Sequence, residues 1–75
     1  MPKLPVISGK ELVAALKKAG FVEVRHKGSH VSLQKVTSEI TYKTVIPLHR
    51  ELAIGTLIDI LHQTGLSRDD LLELL

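Results

Sequence analysis

The feature that most constrains this chain is a change of apolar period at Gly20. Before it, Leu12, Val13, Leu16 and Ala19 recur at the three- and four-residue spacing of one helical face. From Phe21 the period is two, with Val22 and Val24 on one side of an extended chain and Glu23 and Arg25 on the other. A chain that alternates through the forties and then returns to a helical run is restricted to an α+β arrangement, with helices flanking a small antiparallel sheet.

Local signals set the boundaries. Ser8-Gly9-Lys10-Glu11 reads as a capping box with Ile7 and Leu12 stapling the entry, and Gly20 supplies a left-handed exit, so the first helix is expected over residues 9–19. Lys27-Gly28-Ser29 is turn chemistry between two strands. The second strand alternates Val31 and Leu33 with His30, Ser32 and Gln34. A third, from Ile40 to Ile46, follows a polar turn near Thr37-Ser38, and Pro47 ends it by lacking an N–H. After an irregular stretch, Leu48 to Ile54, the run Leu57, Ile58, Ile60 and Leu61 predicts a second helix closed by Gly65. Ser67-Arg68-Asp69-Asp70 caps a short third one whose apolar side is Leu71, Leu72 and Leu75. The order is α-β-β-β-α with a short terminal helix. With no repeat or linker, residues 1–75 are expected to form one domain. Helices cover one face of a sheet this small, and any site lies on the open face or its rim.

Size and composition narrow the function. A chain of 75 residues buries only about 60% of its unfolded surface, enough for one core and a shallow site. The absence of cysteine excludes disulfides and thiolate metal centres and suits a reducing compartment. No apolar run approaches the roughly 20 residues of a membrane span, and Met1 to Pro5 lacks the apolar stretch of a secretion signal, so a cytoplasmic location is expected. The formal charge of +2 hides an asymmetry: residues 1–50 hold nine cations against three acids, and residues 51–75 one cation against five acids. Two solvated faces of unlike sign would account for this, as would a basic face for a polyanion.

Because Val31 and Leu33 must face the helices, His30 is presented to solvent. Arg25, Lys27 and Lys35 flank it in sequence, and Lys43 on the third strand lies in possible reach. An imidazole among phosphate-binding cations meets the needs of metal-free RNA cleavage, where a ribose 2′-hydroxyl requires a base and the leaving oxygen an acid. A polar surface histidine has the same pattern. Ser29 and His30, adjacent on an extended chain, point apart, which argues against a Ser-His nucleophile pair. His26 and His30 have the spacing of a helical zinc pair, but Gly28 sits between them in a turn and no third ligand suggests itself, so no metal or other cofactor is expected. His49, in the loop after Pro47, could rim a site, as could His26. His62, near the end of the second helix, suits the helix dipole. Gly28-Ser29 is either an ordinary hairpin turn or a backbone that admits phosphate oxygens. Phe21 and Tyr42 are too few rings for a base-stacking platform, so RNA contact is expected mainly at phosphate and ribose.

Taken together, Ser8-Gly9-Lys10-Glu11, Ala19-Gly20-Phe21, Arg25-His26-Lys27-Gly28-Ser29-His30, Ile46-Pro47-Leu48-His49 and Gly55-Thr56-Leu57 closely resemble the HicA (YcfA-like) family of toxins. The resemblance covers almost the whole chain. It implies a fold like the double-stranded-RNA-binding domain and a metal-independent mRNA interferase activity. The histidine of the Gly-Ser-His motif, here His30, would be catalytic. From the charge and turn chemistry around it, Arg25, Lys27, Gly28, Ser29, Lys35 and Lys43 are the expected RNA contacts. The implied partner is a HicB-type antitoxin that covers the active face and supplies any DNA binding. The chain departs from the family in its longer Lys35-Val36-Thr37-Ser38-Glu39 segment and in His26, where Gln is common, which bears on substrate preference. Two other functions use the same basic face: a non-catalytic RNA-binding module, and a protein-interaction domain for an acidic partner.

Overall fold

A computed structural model describes residues 3–75; Met1 and Pro2, part of the N-terminal stretch considered above, lie outside the described residues. The elements are α1 (Gly9–Lys18), β1 (Val22–Lys27), β2 (His30–Val36), β3 (Thr41–Pro47), α2 (Ile54–Thr64) and α3 (Arg68–Leu74). The order is α-β-β-β-α-α, as the sequence leads one to expect. Both serine caps form. Glu11 N–H donates to Ser8 Oγ while Glu11 Oε1 accepts from Ser8 N–H, and Ser67 and Asp70 repeat the exchange at α3. Gly20 (φ +98°) and Gly65 (φ +73°) take left-handed conformations just past α1 and α2. A side chain at Gly65 would also strike the Tyr42 ring, whose Cε1 stands 2.8 Å from where its Cβ would be.

The antiparallel sheet has the order β1-β2-β3, and the domain is only 19 Å deep, room for the sheet and one layer of helices. Leu12 and Leu16 of α1 and Leu57, Ile60 and Leu61 of α2 meet Val31, Leu33 and Ile46 of the sheet in one buried core. The helices sit over β2 and β3, with α2 and α1 on β3 and α3 on α1. Every residue of β1 is exposed, Val22 and Val24 included. Two expectations need correction. The third strand starts at Thr41, because Thr37 closes the preceding turn: Thr37 N–H and its hydroxyl donate to the Ile40 carbonyl, which leaves Ile40 exposed. On α3, Leu71 and Leu74 pack inward at the three-residue spacing, whereas Leu72 and Leu75 face out.

Candidate nucleic-acid interface

Directly opposed residues of an antiparallel ladder share a face, so the register assigns each side chain. On the helix side lie Val31, Leu33 and Lys35 of β2, with Tyr42, Thr44 and Ile46 opposite them on β3. His30, Ser32, Gln34 and Val36, opposite Pro47, Val45, Lys43 and Thr41, form the open face. From β1, Lys27 pairs with His30, Arg25 with Ser32 and Val22 with Gln34, and all three join that face.

A bulge decides which of Val22 and Glu23 joins this face. Simple alternation sets Arg25 opposite in sense to Val22, but the register slips between Glu23 and Arg25, with Val24 as the additional residue. The two-residue turn sets Lys27 opposite His30, so Arg25 shares that face and His26 lies on the other side, opposite Val31; the slip adds Val22 to the face of Arg25 and sends Glu23 to the other side, opposite Leu33. There the His26 ring is exposed, since no helix covers β1, and its Nε2–H donates to the Gly28 carbonyl at 3.0 Å. His26 therefore braces the turn from behind and does not rim the open face.

The turn itself is tight. Lys27 and His30 are paired and only Gly28-Ser29 intervene; Gly28 has φ +59° and Ser29 has negative φ, the signature of a type II′ hairpin turn. Its backbone is anchored to the loop after β3, where Leu48 N–H donates to the Ser29 carbonyl at 2.7 Å. That loop is in turn held by α1, with Gly9 N–H on the His49 carbonyl at 2.9 Å and Leu52 N–H on the Ile7 carbonyl at 2.9 Å. His49 thus sits two residues beyond the cross-strand partner of His30, at the same end of the molecule, and is exposed.

Lys35 does not belong to this group. It follows the parity of Val31 and Leu33 to the helix side, where its ammonium donates to the Ala19 carbonyl at 2.8 Å and satisfies the end of α1. Its positive charge also complements the negative end of the helix dipole. The alternation already carried this signal, because Lys35 is two residues beyond Leu33. Lys43 lies on the open face, four residues along the strand direction from the level of His30, about 13 Å away.

The open face carries Arg25, Lys27 and Lys43 and no Asp or Glu. At one end His30 stands beside Lys27, with Arg25 on the adjacent diagonal, within reach of one phosphate group. The absence of a carboxylate also means that nothing acidic on this face orients the His30 ring. Neither aromatic residue reaches it: Phe21 is buried and Tyr42 packs on Gly65 across the sheet. Among the described residues no cluster of three His, Asp or Glu side chains could hold a metal ion, and no helix is long and apolar enough to cross a membrane.

No curated protein matches the chain. A family model described as the HicA toxin of bacterial toxin-antitoxin systems matches residues 9–66, which takes in α1, the whole sheet, the His49 loop and α2. The chain belongs to the HicA toxin family, and its role is that of a toxin within a toxin-antitoxin pair.

Proposed function

We propose that this toxin is a metal-independent endoribonuclease that cleaves mRNA with His30 as its single catalytic histidine. The observation that carries the reading is the cross-strand pair of His30 and Lys27 on a cationic face free of acids. A nitrogen of the neutral His30 ring takes the proton of a ribose 2′-hydroxyl as that oxygen attacks the adjacent phosphorus. The bond from phosphorus to the 5′-oxygen breaks, and the departing oxygen takes a proton from solvent. A 2′,3′-cyclic phosphate and a 5′-hydroxyl end remain. Lys27 and Arg25 oppose the negative charge that builds on the phosphoryl oxygens, and the Gly28-Ser29 turn lets the backbone approach them. General base catalysis of this kind supplies about 10² to 10⁴-fold, so cleavage is slow.

The partner in this reading is a HicB-type antitoxin that occludes the same face and supplies any DNA binding, and the site of action is the cytoplasm. The test is a gel assay of the isolated chain on single-stranded RNA beside a His30→Ala variant, with and without EDTA. The wild type should cut equally in both buffers and the variant should not cut. Since His30 is exposed, the substitution should change stability by less than about 0.5 kcal/mol. Binding without cleavage by the wild type would favour a non-catalytic RNA-binding module, and neither activity would favour a pure protein-interaction domain.

A further inference from the structure

Beyond the histidine end lies a depression of about 540 Å³, within the roughly 300–1,000 Å³ usual for small-ligand sites; open-face residues line most of it, with Leu33, Thr44 and Gln63 of α2 also on its border. Ser32 and Gln34 of β2 lie in it, Val24 and Val45 flank them from β1 and β3, and Lys43 stands beside Gln34. The two valines are two strand spacings apart, about 10 Å, with β2 between them. Ser32 and Gln34 are half-buried, and their side-chain polar atoms are not buried without a partner but stay open to solvent at the depression. Accessible polar groups between two valine side chains are suited to a flat ligand with hydrogen-bonding edges.

The geometry points to a nucleobase subsite here, in which Gln34 and Ser32 read the edge of one unstacked base and Val24 and Val45 contact its faces. The inference rests on the RNA-cleavage reading above and adds the residues that select sequence. The Gln34 amide offers a donor and an acceptor side by side, which can pair with a base edge in two contacts. Lys43 next to it is placed for the phosphate of the same nucleotide. Ser32 is about 7 Å and Gln34 about 13 Å along β2 from His30, so a strand cleaved at His30 and extended along β2 would lay a neighbouring nucleotide over the depression. Charge favours RNA as the occupant over a basic or neutral protein segment, because the surrounding face has three cations and no acid. The absence of aromatic residues from this face does not prevent base recognition; it transfers it from stacking to an amide and two valine side chains.

The test uses the full chain carrying His30→Ala, so that RNA stays intact, titrated with the hexanucleotides of A, C, G and U while backbone and side-chain amide resonances are followed by NMR. The Gln34 side-chain NH₂ and the Ser32 and Lys43 amides should shift with at least one hexanucleotide. The tightest and weakest of the four should differ by about fivefold or more, the low end of what one two-contact pairing discriminates. Adding Gln34→Ala should bring the four affinities together while binding at the hairpin end persists. If shifts stay confined to Arg25, Lys27 and the 28–30 turn, or if the four bind alike, the subsite is wrong and the cleavage reading survives. If no hexanucleotide shifts any resonance, the RNA reading fails with it. Shifts at Gln34 from an acidic antitoxin segment but not from RNA would make the depression a protein contact and overturn the inference.

Discussion

Helix propensity and tertiary packing make opposite forecasts for Gly9. It occupies the first turn of α1, where alanine in place of glycine should gain at most about 1 kcal/mol from the reduced entropy of the unfolded chain. In the fold, however, a Cβ at residue 9 would run into the Pro47 carbonyl oxygen and stand 2.8 Å from Leu48 Cα. Both are backbone atoms that cannot swing aside, so either the helix or the loop must move. Overpacking of this kind costs about 1–3 kcal/mol, and separation of the two segments weakens the hydrogen bond from Gly9 N–H to the His49 carbonyl, worth about 0.5–1.5 kcal/mol. The net expectation for Gly9→Ala is a loss of about 1–3 kcal/mol, or a Tm lower by roughly 5–20 °C in a domain of this size. Gly55, in the first turn of α2, is the internal control: nothing lies within 4 Å of its Cβ position, so Gly55→Ala should gain about 0.4–1 kcal/mol. Thermal and urea unfolding followed by circular dichroism measure both. A Gly9→Ala protein that melts at or above the wild-type temperature would refute the close approach of α1 to the 47–49 loop. Because Pro47 pairs with His30 and Leu48 N–H holds the Ser29 carbonyl, RNA cleavage should also fall in Gly9→Ala at temperatures where it is fully folded.

Arg25→Ala and Lys27→Ala should each lower the slope of log affinity against log salt for single-stranded RNA by about 0.7, measured by fluorescence anisotropy, while Lys35→Met should leave the slope in place. Lys35→Met should instead destabilise the fold by about 0.5–1.5 kcal/mol through loss of its bond to the Ala19 carbonyl. The Ser67 backbone N–H, and secondly its hydroxyl, hold the Asp70 carboxyl below its ordinary value of 3.8. A depressed value means that the ionised form stabilises the fold. Its contribution is complete above pH 3.8 and disappears as pH falls through the lowered value. The stability difference between wild type and Asp70→Asn should therefore close in that acid range when unfolding is followed as a function of pH. A complex purified with its antitoxin should be inactive on RNA and should shield the His30 ring from chemical modification; a tight complex that still cleaves, with His30 reactive, would place the antitoxin elsewhere.

The elements were legible because their signals are local. Ser8 with Glu11, Ser67 with Asp70, and the glycines at 20, 28 and 65 act over three or four residues and do not depend on what packs nearby. The alternation of Val31 and Leu33 was enough to present His30 and to put Ser32 and Gln34 beside it. The same alternation, carried two residues further, would have turned Lys35 away from the site. Its charge suggested the opposite, and only the carbonyl of Ala19 beneath it shows what the charge satisfies. The bulge at Val24 is of another kind. Nothing in Val22-Glu23-Val24-Arg25 announces an additional residue; it arises from the pairing of β1 with β2, a property of two strands and not of one. That single slip determines which of Val22 and Glu23 stands on the face of His30, and so keeps an acid off it. Likewise, the approach of Gly9 to Pro47 joins residues 38 positions apart, and is decided by how α1 lies against the end of the sheet. Residue types and periods thus determined the elements and the exposed histidine, while the company that histidine keeps was decided by strand pairing and by the packing of α1 on the loop behind it.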